Sequence, residues 1–309
     1  VDSPHTEPRA DAAGAAIRAQ NFGLKGPRGW AFRGIGIDAA PGSLVAVTGP
    51  SGSGRTCLLL ALTGRMKPAE GWARVGGEQL PRKMAAVRRF SALGQVPGVS
   101  ELDPAFTVAE HLRERVMLQR RYDGSLRSLL RSPARRRAES RALIEEALAA
   151  AGLDTAALPK RDHTSVRDLE RLEALRLTVA LALIHRPRLL AVDDTDMKLS
   201  DAERAAAWGL LRSLADSGIT VLAVCSEVPD EADTVVTTET GAAETAVPEG
   251  AEDAEDTVAA RGTAVGSTAA KGTAAKDTAA EDATTQDGAG DGAASGEGAD
   301  DAIAATGSA

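Results

Sequence analysis

Eight residues, Gly49-Pro50-Ser51-Gly52-Ser53-Gly54-Arg55-Thr56, sit between the apolar runs Leu44–Val47 and Leu58–Leu62. A buried strand, a glycine loop and a helix start in that order form the setting of a phosphate-binding loop. The order restricts the chain to an α/β fold in which a strand delivers its carboxyl end to a helix N-terminus. Gly49, Gly52 and Gly54 allow backbone conformations that a Cβ forbids. Successive main-chain N–H groups then converge on an anion, and the helix start adds unsatisfied donors and its positive dipole end. The candidate nucleotide-contacting residues are Gly49, Ser51, Gly52, Ser53, Gly54, Arg55, Thr56 and Cys57. Thr56 offers a hydroxyl to Mg²⁺. Arg55 stands where the motif asks for lysine; its guanidinium keeps the charge but is planar and bulkier. Nucleotide binding is therefore expected to survive and catalytic positioning to suffer.

Charge divides the 309-residue chain unevenly. From Gly241 to Ala309 there are 14 acidic and 3 basic side chains, a net of −11 against −8 for the whole, so the first 240 residues carry +3. Two cysteines, Cys57 and Cys225, make no disulfide framework and suit a reducing compartment. No apolar run approaches the ~18–20 residues that span a bilayer. The polar lead-in with Pro4 and Pro8 does not read as a signal peptide.

Residues 1–15 read as a flexible lead-in. Short strands are expected at Ile17–Phe22, Trp30–Phe32 and Ile35–Ile37, with Pro41-Gly42 turning into the strand before the glycine loop. The loop helix is expected to reach about Arg65, and further strands fall at Gly71–Val75 and Gly94–Val96. Helical spacing begins at Thr107, recurs over Glu139–Ala151 with Gly152 as a stop, and again from about Ser165 to His185. Leu189–Val192 is a buried strand, Asp201–Ser217 a helix and Thr220–Val224 another strand. This alternation predicts a mostly parallel sheet. After about Thr240 a near-repeat of five residues sets in (Thr268–Gly272, Thr273–Asp277, Thr278–Asp282), with no aromatic residue beyond Trp208. Such a segment buries too little to offset its ordering entropy, so residues 239–309 are expected to be a disordered, acidic, low-complexity tail, read first as solubilising.

The strand Leu189–Val192 ends in Asp193-Asp194. Ligands of parallel sheets sit at that carboxyl edge, so Asp193 is the candidate to hold Mg²⁺ opposite Thr56 and Asp194 the candidate catalytic base. Together with Phe106–Leu112 and the run Leu181–Asp194, these motifs resemble the ATP-binding subunit of an ABC transporter over residues 16–238. The resemblance implies a P-loop NTPase core with a mostly parallel sheet, an N-terminal antiparallel β part and a helical subdomain at about 100–168. It also implies ATP and Mg²⁺ as cofactors, a membrane-spanning permease subunit as partner, pairing with a second ATP-binding subunit as homodimer or heterodimer, and a cytoplasmic place peripheral to the membrane face.

Several positions depart from the family pattern. Leu169-Glu170-Arg171-Leu172-Glu173 occupies the signature stretch, where the family has Ser-Gly-Gly after the leucine. Gly98 stands for the family's glutamine, with Gln95 nearby. Asp194 stands for the catalytic glutamate, Ser226 for the switch histidine and Ser200 for the later loop aspartate. The phosphate cradle is kept and the parts that assemble a transition state are eroded, which implies low or partner-dependent hydrolysis. Trp30 is the candidate for stacking on adenine, with Phe22 as competitor and core packing as the alternative for both. Cys57 reads as a small buried residue. The four histidines show no metal-ligand spacing. Arg113–Arg141 holds 10 arginines against 3 acids; a solvated face is the plain reading, and membrane-partner contact ranks above nucleic acid as the alternative. Two functions stay open: a transport ATPase subunit, or a catalytically silent nucleotide-binding regulator or scaffold of a membrane complex.

Overall fold

The computed structural model describes residues 14–122 and 132–239. Strands β1 (Ile17–Gly26), β2 (Gly29–Ala39), β4 (Glu70–Val75) and β5 (Glu78–Leu80) form an antiparallel sheet in the order β2-β1-β4-β5. A parallel sheet takes β3 (Leu44–Thr48), β6 (Ser91–Leu93), β7 (Leu189–Val192), β8 (Thr220–Val224) and β9 (Thr234–Thr237) in the order β6-β7-β8-β3-β9. The helices are α1 (Arg55–Leu62), α2 (Met84–Phe90), α3 (Val108–Tyr122), α4 (Pro133–Ala150), α5 (Arg171–Leu183) and α6 (Asp201–Asp216). The mostly parallel core sheet and the N-terminal antiparallel part expected from the sequence are both present.

Strand β3 shows why the loop sits where it does. Every one of its residues is buried, and its two faces serve different cores. Leu44 and Ala46 join the cluster that holds α5 and α6, whereas Val45 and Val47 join the cluster between the two sheets. Strands β7 and β8 divide in the same way. The period-2 alternation of a strand buried on both faces therefore welds two cores together. Helix α1 enters the second of them with Leu58, Leu59, Leu60, Ala61 and Leu62 all buried, so both ends of the glycine loop are anchored.

Several expected boundaries move. Trp30–Phe32 and Ile35–Ile37 belong to one strand, β2, whose pairing with β1 continues through three register shifts. Helix α1 ends at Leu62 rather than near Arg65. The strand expected at Gly94–Val96 is Ser91–Leu93 instead. Gly94 N–H still donates to Ala191 O at 2.8 Å, but the chain then turns, with Val96 O accepting from the N–H groups of Val99 and Ser100. The helix expected over Ser165–His185 is broken: Val166–Asp168 is a 3-10 turn, Leu169 and Glu170 are extended, and α5 begins at Arg171. Helix α4 starts earlier than Glu139 because Ser132 caps it and Pro133 fits the first turn. Strands β5 and β9 and helix α2 had no clear sequence signal. The expectations for residues 1–13, 123–131 and 240–309 lie outside the described residues.

Candidate functional site: an open helix N-terminus beside a strand-end carboxylate

The glycine loop takes the conformation its glycines permit, with φ of +145° at Gly49, +82° at Gly52 and +83° at Gly54. Two of these positions are also sterically fixed. A Cβ on Gly54 would lie 2.1 Å from Ala31 O, and one on Gly49 would lie 2.3 Å from Thr238 O. A Cβ on Gly52 would meet nothing within 4 Å. Ser51 and Gly52 form the exposed lip of the loop, while Ser53 is fully buried and bonded to the Thr238 hydroxyl at 2.6 Å. Thr238 in turn donates to Thr48 O at 3.1 Å. Strand β9, which the sequence did not signal, thus clamps the loop from outside. Ala31 and Thr238 are site-shaping residues that sequence reasoning missed, since each acts through its main chain or a single hydroxyl.

Gly54 is the residue preceding α1, and no side chain caps that N-terminus. The first-turn N–H groups of Arg55, Thr56 and Cys57 have no intrahelical acceptor. Facing them, Thr56 Oγ1 donates to Asp193 Oδ2 at 2.5 Å, and Asp194 N–H donates to Asp193 Oδ1 at 2.9 Å. Asp193 is 2 % exposed. Burial pushes its carboxyl upward, against the pull of those two donors and of Arg55, while Asp194 adds to the rise. A buried carboxylate held against a hydroxyl, at the open end of a helix, fits a hydrated divalent cation bound to a phosphate chain: the cation would offset the desolvation that the fold imposes. Gly49–Thr56 would hold the phosphates, with Thr56 and Asp193 on Mg²⁺.

The remaining candidates are placed as follows. Arg55 turns its guanidinium across the sheet and donates from Nη1 to Cys225 O at 2.8 Å, just beyond the end of β8. Cys57 is half-buried rather than buried; burial, with Asp193 nearby, raises its thiol and keeps it protonated. Asp194 is half-buried with φ of +51°, a left-handed conformation that aspartate tolerates better than most residues. Trp30 directly precedes Ala31, whose carbonyl packs on Gly54, while its ring lies beside Gly23. Its ring carries the Arg33 guanidinium at 4.6 Å and the Lys25 ammonium at 5.6 Å, so an adenine would share the ring with cations. Phe22 is fully buried against Phe32, with ring centroids 5.8 Å apart, and is core, not a stacking face.

Gly98 sits in an exposed turn with φ of +72° and donates its N–H to Glu101 at 2.6 Å. Gln95 comes to the site by its main chain, its carbonyl accepting from Asp193 N–H at 2.8 Å. Ser200 caps α6 in a reciprocal box with Glu203. Ser226 N–H donates to Asp196 Oδ2 at 2.7 Å, and Glu227 N–H to the same oxygen at 3.2 Å. Asp196, three residues beyond Asp193, therefore holds the segment after β8; its Oδ1 is buried without a partner. Beside it, burial first and the Asp196 charge second push the Cys225 thiol up to about 12. The spacing Asp193-x-x-Asp196 was the available signal for this anchor.

The N-terminus of α5 is built in the opposite way to that of α1. Glu170 accepts from the N–H of Glu173, and Glu173 accepts from Glu170 N–H at 2.8 Å. The box puts two carboxylates on the donors that an incoming anion would need.

A parallel sheet with a glycine loop after β3 and an aspartate at the end of β7, two strands away, defines a nucleotide-binding cassette of the P-loop NTPase class. The family model described as "ABC transporter" matches residues 32–196, and the chain belongs to that family. The chain is similar to the Nod factor export ATP-binding protein I of Cupriavidus metallidurans, with 34% identity over 188 residues, 61% of this chain and 55% of that protein. The protein of the same name in Paraburkholderia xenovorans is 33% identical over 189 residues, again 61% of this chain and 55% of that one. The chain thus spans about half the length of the curated relatives it matches. Among solved structures, a dimeric bacterial ABC transporter cassette superposes with a TM-score of 0.58 at 21% identity, covering 73% of this chain and 95% of that one. Clostridium perfringens cbiO1, part of an ABC transporter complex, gives 0.58 at 18% identity over 74% and 86%. At these identities the superpositions establish the shared fold.

Proposed function

We propose that residues 16–238 are the ATP-binding cassette of an ABC-type membrane transport system, with a helical subdomain at about 100–168. The cassette binds Mg-ATP through Gly49–Thr56 and Asp193 and works with a membrane-spanning permease subunit, peripheral to the cytoplasmic membrane face. The observation that carries this reading is the uncapped N-terminus of α1 set against the Thr56–Asp193 pair. The relatives' role in export supports a transport setting. When bound, Mg²⁺ would neutralise phosphate charge; the chain's residues cradle, orient and desolvate.

Hydrolysis is weak or partner-dependent. The capped N-terminus of α5 favours this, since a second cassette would meet carboxylates where donors are needed. The same observation supports a second reading, a catalytically silent nucleotide-binding regulator or scaffold. Calorimetry with Mg-ATP tests the cradle: the chain binds, and Thr56→Ala weakens binding at least about tenfold. No heat of association on folded chain overturns the proposal. Turnover of the chain with Glu170→Ser, Arg171→Gly, Leu172→Gly and Asp194→Glu combined separates the two readings. A rise on the order of 100-fold favours an eroded ATPase, and no rise favours the silent regulator.

A further inference from the structure

Away from the glycine loop, a cavity of about 720 Å³ lies among the C-terminal end of α1, helix α2, strand β6 and helix α3. That volume is typical of a ligand pocket. Four arginines line it, Arg65, Arg88, Arg89 and Arg115, and among the described residues that line it none is acidic. Arg65, Arg88 and Arg115 have hydrogen bonds, but to uncharged groups. Arg65 Nη1 donates to Thr63 O and Ser91 Oγ, both at 3.0 Å; Arg88 Nη1 donates to Gly64 O at 2.7 Å; Arg115 Nε donates to Leu181 O at 3.0 Å. These bonds orient the guanidiniums without neutralising them. Burial lowers Arg65 to about 10, and the charges of Arg88 and Arg115 add to the fall. Glu114 offsets part of the Arg115 charge, and Arg88 and Arg89 are exposed, but the cluster stays cationic, and an anion that enters is attracted to all four guanidiniums.

The geometry points to a second anion site in this cavity, one that takes a phosphate dianion, whether free in solution or on a lipid headgroup. Guanidiniums are planar forks that match phosphate oxygens two at a time. Arg88 and Arg115 have spent one donor each on the protein, and Arg89 is exposed at the mouth. The site lies at the far end of α1 from the glycine loop, about 12 Å along the helix axis, so the two are separable by mutation.

Metal-free pyrophosphate, followed by calorimetry on the whole chain, tests it. The chain binds, Arg89→Glu weakens binding at least tenfold, Arg115→Gln weakens it severalfold while keeping a donor for Leu181 O, and Gly52→Asp, which sets a carboxylate on the exposed lip of the glycine loop, leaves binding at this cavity unchanged. Circular dichroism melts verify that the variants fold. Flotation with phosphatidylcholine vesicles containing one-fifth phosphatidic acid, whose phosphate monoester can carry the second charge, separates the sources. Flotation that Arg89→Glu abolishes assigns the phosphate to lipid, and pyrophosphate binding without flotation assigns it to a soluble ligand. Binding lost in Gly52→Asp but kept in Arg89→Glu places the anion in the glycine loop and overturns the inference. Absence of both pyrophosphate binding and flotation overturns it too, as does capture of a polyglutamate peptide alone.

Discussion

Gly52 and Gly54 have nearly the same φ, yet they answer to different constraints. Gly52 is held only by its backbone angle, so Gly52→Ala is expected to cost about 1 kcal/mol. Gly54 also carries Ala31 O at 2.1 Å from the position of a Cβ, so Gly54→Ala must push β2 off α1, at a cost of at least about 3 kcal/mol. Urea melts of the two variants measure the gap; equal losses contradict the packing account. Asp193 makes the complementary case for charge. Its carboxyl is raised in the fold above the ordinary 3.8, so its contribution to stability is fully present below that value and lost as pH rises through the folded one. Asp193→Asn removes the buried charge, keeps one acceptor oxygen for Asp194 N–H, and turns an amide NH2 toward the Thr56 hydroxyl, which can accept in its place. At pH 7 it is expected to melt about 2–4 °C higher, corresponding to about 1 kcal/mol, while losing affinity for Mg-ATP. A thermal melt series from pH 4 to 8 checks both the sign and the flattening.

At the scale of elements, helices α1 and α5 divide the work through their first turns. One leaves its donors open, the other closes them with Glu170 and Glu173. Strand β9 has a different task. Asp233, at its start, accepts from Leu44 N–H at 2.7 Å and from Arg212 Nη1 at 2.7 Å, and so pins β9 beside β3. These bonds, the Leu44 N–H first, hold its carboxyl below the ordinary 3.8. The stability it contributes is present above 3.8 and lost as pH falls through the lower folded value. Asp233→Ala leaves the Leu44 N–H without its acceptor and is expected to cost about 1–2 kcal/mol. Hydrogen exchange should rise over β9 and, through Thr238, in the glycine loop; exchange that rises in β9 alone would uncouple the clamp from the loop.

For the whole molecule, among the described residues no helix is long and apolar enough to cross a membrane. Pairing is a prediction at this scale. Size-exclusion chromatography in Mg-ATP should show no self-association of the present chain, and association once Glu170→Ser, Arg171→Gly and Leu172→Gly reopen the α5 N-terminus. Self-association of the unaltered chain would show that the carboxylates do not block the contact.

The sequence by itself determined the strand–loop–helix unit, the strand that ends in Asp193 and the parallel core. Each is written in local apolar runs and in glycines that local geometry demands. It also named Thr56 and Asp193, 137 positions apart, because both lie at the carboxyl ends of strands that share one sheet. Tertiary structure alone decided that Thr238 and Ala31 shape the loop, that Arg55 reaches Cys225 O, that Phe22 is core, and that arginines from the end of α1, from α2 and from α3 meet in one cavity. Those contacts join residues far apart in the chain through main-chain atoms or through side chains with no periodic pattern. Nothing in a linear order of residue types records which backbone will pass 2 Å from a missing Cβ.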